Sequence, residues 1–207
     1  MIFFTQEPMS ALQYSENDEF PIAERIGPLP SHLKNTIQRK HNIGIVINTV
    51  LKMLKEHKYD NKDMLIDIID KVLSSRFNDI NSEFYGIFPY DYYESPEDFH
   101  VPDYDYQATI LVPLIEIYFE FGSILPKEIT DRIKNACLTT AFALTYVQDY
   151  IDTHNIVLEI LCLICIGENF DNLEIFNAGI HKLHTLVYFT LYNDSFMEYN
   201  HPEKILT

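Results

Sequence analysis

The chain has 207 residues, the size of one compact domain with little room for a second. Apolar residues make up 47% and charged residues 22%, near the globular average, which excludes wholesale disorder. Fifteen lysines and arginines against 31 acids leave a formal charge of −16 with no basic patch to offset it, so a groove gripping nucleic acid is not expected, and six glycines are too few for a turn-dense all-β fold or a glycine-rich phosphate loop.

The N-terminal segment MIFFTQEPMSALQYSENDEF lacks the basic flank and apolar run of a signal peptide. In the helical part the longest stretch free of charge runs from Asn135 to Gln148, shorter than the ~20 residues a membrane span needs. These features lead us to expect a cytoplasmic chain without a membrane partner. Cys162 and Cys165 form a C-x-x-C, but it lies in the apolar run LEILCLICIG with no cation nearby in sequence. A redox thiol needs exposure and positive charge, so these two and Cys137 are read as core cysteines.

Residues 1–42 are broken up by Pro8, Pro21, Pro28 and Pro30 and are expected to form an extended arm. From Ile43 onward, Val46, Ile47, Val50, Leu51 and Leu54 recur at helical steps, and His57 to Asp60 close that helix. Asn61 is the expected cap of a second helix with Met64, Leu65, Ile68, Ile69, Val72 and Leu73 on its apolar stripe. Residues 77–105 show no helical period and are dense in tyrosine, phenylalanine and acids, a long loop of the kind that often serves function. A third helix is expected from about Tyr106 to Phe121, stopped by Gly122, and Pro126 opens a fourth made by Ile129, Ile133, Ala136, Cys137, Thr140 and Leu144. Asp152 or Thr153 caps a fifth helix that holds Ile156, Val157, Ile160, Leu161 and Ile164 and ends at Gly167. After a turn at 169–172, the sixth holds Leu173, Phe176, Ile180, Leu183 and Val187 and fades near Tyr192. The expectation is therefore an all-α domain over 43–207, built of three consecutive helical hairpins in an incomplete (α/α) toroid or a curved α-hairpin array.

Two segments carry a resemblance. HNIVLEILCLICIGENFDNLEI, with Asn155, Gly167, Glu168 and Asp171, resembles a phrase of α/α-toroid proteins, and Phe196-x-Glu198-Tyr199-Asn200-x-Pro202 resembles their E-Y-N-S-P-T-Y signature. His201 stands where that signature has serine, and Glu203 and Lys204 where it has threonine and tyrosine. The resemblance implies a relative of carbohydrate-active enzymes, alginate-lyase-like, heparinase-like or glycoside-hydrolase-like. A closed ring of six hairpins needs about twice as many helices as this chain supplies. In the lyases an asparagine and a histidine at such a helix start neutralise a uronate and relay a proton, which the resemblance transfers to Asn155 and His154.

Three clusters have residue types suited to that chemistry. The loop holds Tyr85, Tyr90, Asp91, Tyr92, Tyr93, His100, Asp103, Tyr104, Asp105 and Tyr106. Aromatic faces stack on sugar rings and carboxylates accept hydroxyl hydrogen bonds; equally, tyrosines pin a loop onto helices with their acids in water. Asp152, His154 and Asn155 open the fifth helix, where free N–H groups hold an anion, or where Asp152 simply caps. Glu198, Tyr199, Asn200 and His201 lie in the tail, and Glu198 paired with Asp105 would suit inverting hydrolysis at a separation of roughly 6.5–9.5 Å. The catalytic candidates are thus Asp105, Glu198 and His154, with Tyr85, Tyr92, Tyr104, Asp152, Asn155, Tyr199 and Asn200 binding substrate. His181 and His184 share a helix face without a third ligand at helical spacing, so neither metal nor cofactor is expected. The negative charge repels polyuronates and favours a neutral glycan. The competing expectation is a non-catalytic scaffold, or a half-toroid, that binds a partner protein or itself and exposes an apolar patch where further hairpins would dock.

Overall fold

A computed structural model describes residues 42–57, 62–91, 94, 104–146 and 153–193. Among these residues the chain is all-α, with six helices and no strand. All of the expected arm but Asn42, that is residues 1–41, and the expected cap Asn61 lie outside the described residues.

Helix α1 (Ile43–Lys55) starts where Asn42 Oδ1 accepts the Ile45 N–H at 2.9 Å, and it buries Ile43, Val46, Ile47, Val50, Leu51 and Leu54. His57, at φ 55°, ends it in the left-handed region that a helix C-terminus favours. Helix α2 (Lys62–Ser75) buries Leu65, Ile68, Ile69, Val72 and Leu73. Met64, expected on that stripe, is exposed.

Helix α3 (Tyr104–Glu116) is the centre of the molecule, packed on α1, α4 and α5. Pro113 sits inside it and offers no N–H to the preceding turn. The helix does not stop at Gly122. It widens into a π turn over Ile117–Phe121 and tightens into a 3-10 turn over Gly122–Ile124, with Gly122 in the right-handed region. The stretch Tyr106–Ile124 is long and apolar enough to cross a membrane by length and composition alone; here its Ala108, Ile110, Leu111, Leu114 and Ile117 are buried in the core.

Helix α4 (Lys127–Leu144) opens after Pro126, as expected, and buries Ile129, Ile133, Ala136, Cys137, Thr140 and Leu144. Helix α5 (Thr153–Asn169) runs two residues past Gly167. Gly167 is instead a packing residue: a Cβ there would lie 2.4 Å from the Phe176 nitrogen, so its absence lets α5 and α6 (Leu173–Asn193) meet backbone to backbone. The turn is made by Asp171 at φ 55°, and Asn172 Oδ1 accepts the Ile175 N–H at 3.1 Å to cap α6.

Paired contacts give the helix directions. Near the start of α1 and of α3, the Gly44 N–H donates to the Tyr106 hydroxyl, and near their ends Lys55 pairs with Glu116, so these two helices run the same way. The end of the α3 segment meets the end of α5 where the Tyr118 and Phe170 rings pack edge to face at 5.0 Å, so α5 shares that direction. On the other side, Arg132 of α4 pairs with Asp70 of α2 and donates to Ser74 Oγ at 2.9 Å. Helices α5 and α6 are antiparallel, with Glu159 beside Lys182 and Gly167 beside Phe176.

Candidate functional site

The aromatic-acidic loop is held by hydrogen bonds and a ring contact, some to the helices and some within itself. The buried Gln107 side chain accepts the Phe88 N–H at 2.8 Å and donates to the Phe88 carbonyl at 3.0 Å, as a neighbouring strand would. Thr140 Oγ1 donates to the Gly86 carbonyl at 2.6 Å, where Gly86 takes φ 86°. The Tyr106 hydroxyl donates to Asn42 Oδ1 at 2.7 Å, and its ring lies 4.6 Å from that of Tyr90. Glu94 Oε2 accepts the Tyr90 N–H at 2.9 Å and the Asp91 N–H at 3.3 Å, and both Asp91 and Glu94 are buried. Phe77, Phe84 and Ile87 form a small apolar cluster beneath the loop.

The sequence candidates distribute unevenly around this arrangement. Tyr85 is half-buried in the turn before Gly86. Tyr104, the first residue of α3, is half-buried against Phe77, Phe84 and Ile87, and burial, with Glu83 nearby, raises its pKa above the usual phenol value. Asp105 follows it in the first turn of α3. His154 is exposed and Asn155 half-buried, both in the first turn of α5. Since α3 and α5 run the same way, the turns holding Asp105 and His154 lie at one end of the molecule. Tyr92, Asp152, Glu198, Tyr199 and Asn200 lie outside the described residues. His181 and His184 are exposed on α6, and among the described residues no three His, Cys, Asp or Glu side chains gather as for a metal.

The thiols are poor nucleophiles. Cys137 and Cys162 are fully buried, and burial pushes Cys137 up to about 12 and Cys162 well above the ordinary thiol range. Cys165 is half-buried and its pKa is also raised, first by burial.

The surface that stands out is the outer side of the α5–α6 pair. On α5, His154, Val157, Leu161, Ile164 and Glu168 follow one another at steps of three and four residues; on α6, Leu173, Asn177, Ile180, His184, Val187 and Leu191 do the same. Each set lies along one helix face. Val157 is 39% exposed, Leu161 38%, Val187 47% and Leu191 77%. The buried residues of α5 include Ile156, Glu159, Ile160, Leu163 and Ile166. Ile164 and Leu183 border the seam between the helices, packed on Ile156, Ile160 and Leu186.

Below that surface lies a polar contact that sequence reading missed. Lys182 Nζ is 2.6 Å from Glu159 Oε1 and donates to the Leu144 carbonyl at 2.8 Å, tying α6 to α5 and to the end of α4. Burial lowers the Lys182 pKa, and the Glu159 carboxylate pulls it back up. The signal was present: Glu159 falls three residues after Ile156 and four before Leu163, and Lys182 three after Gly179 and four before Leu186. Opposite charges on the core stripes of two adjacent helices are what a buried pair looks like in sequence.

No family model, no curated protein and no solved structure matches this chain.

Proposed function

We propose that the chain is a non-catalytic helical module, built as stacked α-hairpins, that binds a helix of another protein on the outer side of α5–α6. The neighbour pattern supports the stacking: α1, α3 and α5 pack in that order and run one way, α2 packs on α4, and α1 packs with α2, α3 with α4 and α5 with α6. In such an array the outer side of the last hairpin is where the next would dock.

One observation carries the reading. Of the eleven large hydrophobic residues exposed among the described residues, six are on α5 and α6, which concentrates uncovered apolar surface on one hairpin. Among the described residues, Tyr90 and Tyr106 by contrast are spent on holding the loop. A stripe with alternating three- and four-residue steps is the shape that accepts another helix at a shallow crossing angle.

The test is a labelled synthetic peptide helix with a single leucine stripe and otherwise neutral glutamine and serine. Fluorescence anisotropy should show binding to the wild type and about tenfold weaker binding to the double variant Leu161→Gln/Val187→Gln, the effect of removing two apolar contacts. Equal binding by both proteins would overturn the reading.

A second reading, a site for a neutral glycan, is favoured by the shared end on which the first turns with Asp105 and His154 lie. Glu198 would supply the second carboxylate. Retention on a glycan array, lost in Asp105→Asn, would select it.

A further inference from the structure

We infer that the α5–α6 face takes a cationic amphipathic helix, its basic side chains meeting the acidic turn between the two helices; this rests on the docking reading above. The two helices contain one lysine and no arginine, and that lysine, Lys182, is buried against Glu159. The exposed formal charges of residues 154–191 are therefore Glu168, Asp171 and Glu174, all anionic and all at the Gly167-to-Leu173 end of the hairpin. Glu168 belongs to the α5 stripe itself, seven residues after Leu161 and four after Ile164. Lys134 of α4 reaches the Phe170 ring at 5.1 Å.

The surface thus has an apolar strip along Val157, Leu161, Val187 and Leu191, bordered by exposed histidines, and an anionic end without an exposed partner cation on its own helices. A helix with leucines on one face and lysines or arginines flanking it matches both features. A second copy of this chain does not. It would bring the same acids to the contact and a further charge of −16, with no exposed lysine or arginine on α5 or α6 to face them. The acidic turn also disfavours an anionic lipid surface.

Three labelled peptides with the same leucine stripe, flanked by lysine, glutamine or glutamate, decide the matter, together with a lysine peptide of scrambled order. Against the wild type, the lysine peptide should bind about tenfold tighter than the glutamine peptide, the sum of a few exposed charge pairs, and the glutamate peptide weakest. The triple variant Glu168→Gln/Asp171→Asn/Glu174→Gln should erase that ranking, while Leu161→Gln/Val187→Gln should weaken all three. Asparagine is used at 171 because it tolerates the left-handed backbone there.

Equal affinity for lysine and glutamine peptides overturns the inference but leaves the docking face standing. A lysine preference that survives the triple variant, or is shared by the scrambled peptide, overturns it as well, since diffuse net charge would then suffice. Binding by none of the peptides overturns both readings. A dimer in sedimentation equilibrium that Leu161→Gln/Val187→Gln dissolves assigns the face to a second copy and overturns the cationic partner.

Discussion

Replacing Lys182 with methionine while leaving Glu159 in place should destabilise the fold far more than replacing both. The Nζ–Oε1 distance of 2.6 Å and the burial of both side chains set the scale. At an effective dielectric constant near 20, the attraction is about 6 kcal/mol. Removing each ion from water costs several kcal/mol, so against a well-packed apolar pair the net value is near zero. Breaking the pair is different: Glu159 keeps its desolvation cost and loses this counter-charge, and the Leu144 carbonyl loses its ammonium donor. Lys182→Met should therefore cost about 3–5 kcal/mol. Glu159→Leu/Lys182→Met should fall within about 2 kcal/mol of the wild type, the residue being the lost bond to Leu144. Urea titration followed by circular dichroism gives the four corners of the cycle, and the two variants should show a coupling of about 2 kcal/mol or more. If Lys182→Met does not fold, the folded double variant beside it makes the same point. Single and double variants losing stability additively, or Lys182→Met unfolding within about 0.5 kcal/mol of the wild type, would refute the reasoning.

The buried thiols make stability fall in alkali. A Cys137 held at about 12 stays protonated when folded but ionises in the unfolded chain above the ordinary value of 9.0, so the unfolded state binds fewer protons and stability declines as pH rises. With Cys162 behaving alike, the wild type should lose about 2 kcal/mol more than Cys137→Ala/Cys162→Ala between pH ~9 and ~10, measured by urea unfolding. That comparison cancels Lys182, whose lowered pKa acts in the opposite direction, raising stability as pH climbs toward 10.5; parallel pH slopes would contradict it. Gly167→Ala places a methyl 2.4 Å from the Phe176 nitrogen and 2.5 Å from its Cα, so the hairpin must part, and the midpoint of thermal unfolding should drop by the equivalent of about 1–3 kcal/mol. Gln107→Leu strips both partners from the Phe88 backbone and should cost about 3 kcal/mol, with the Phe88 amide exchanging hydrogen faster than those of α3.

The helices were legible because each buries an apolar stripe with a helical period. Tyr104 rather than Tyr106 opens α3, and the other starts and stops lie within a few residues of the expected ones. The errors share a cause, which is that local rules were applied to residues serving distant contacts. Gly122 and Gly167 were read as helix stops, yet Gly122 continues the turn and Gly167 makes room for Phe176. The apolar content of α5 does not say which side faces in, and only the packing shows that Ile156, Glu159 and Ile160 occupy the inner face while Val157 and Leu161 are exposed. The Glu159–Lys182 pair escaped a reading that counted apolar positions alone. Of the loop, its length and aromatic content were visible, while the clamps from Gln107 and Thr140 were not, since they join residues 19 and 54 positions apart. Of the candidate site, Tyr104, Asp105, His154 and Asn155 fall in first turns at one end of the molecule. The exposed stripe that carries the functional proposal was foreseen only as a general patch, without its residues.

Methyl NMR on the chain titrated with the neutral leucine-stripe peptide tests the account most directly. Val157, Leu161, Val187 and Leu191 should shift together and saturate at one peptide concentration, while Met64 and Ile80, equally exposed but far along the chain, stay in place. Shifts concentrated on the loop over 77–91 or on α1, with the α5–α6 methyls unmoved, would contradict it.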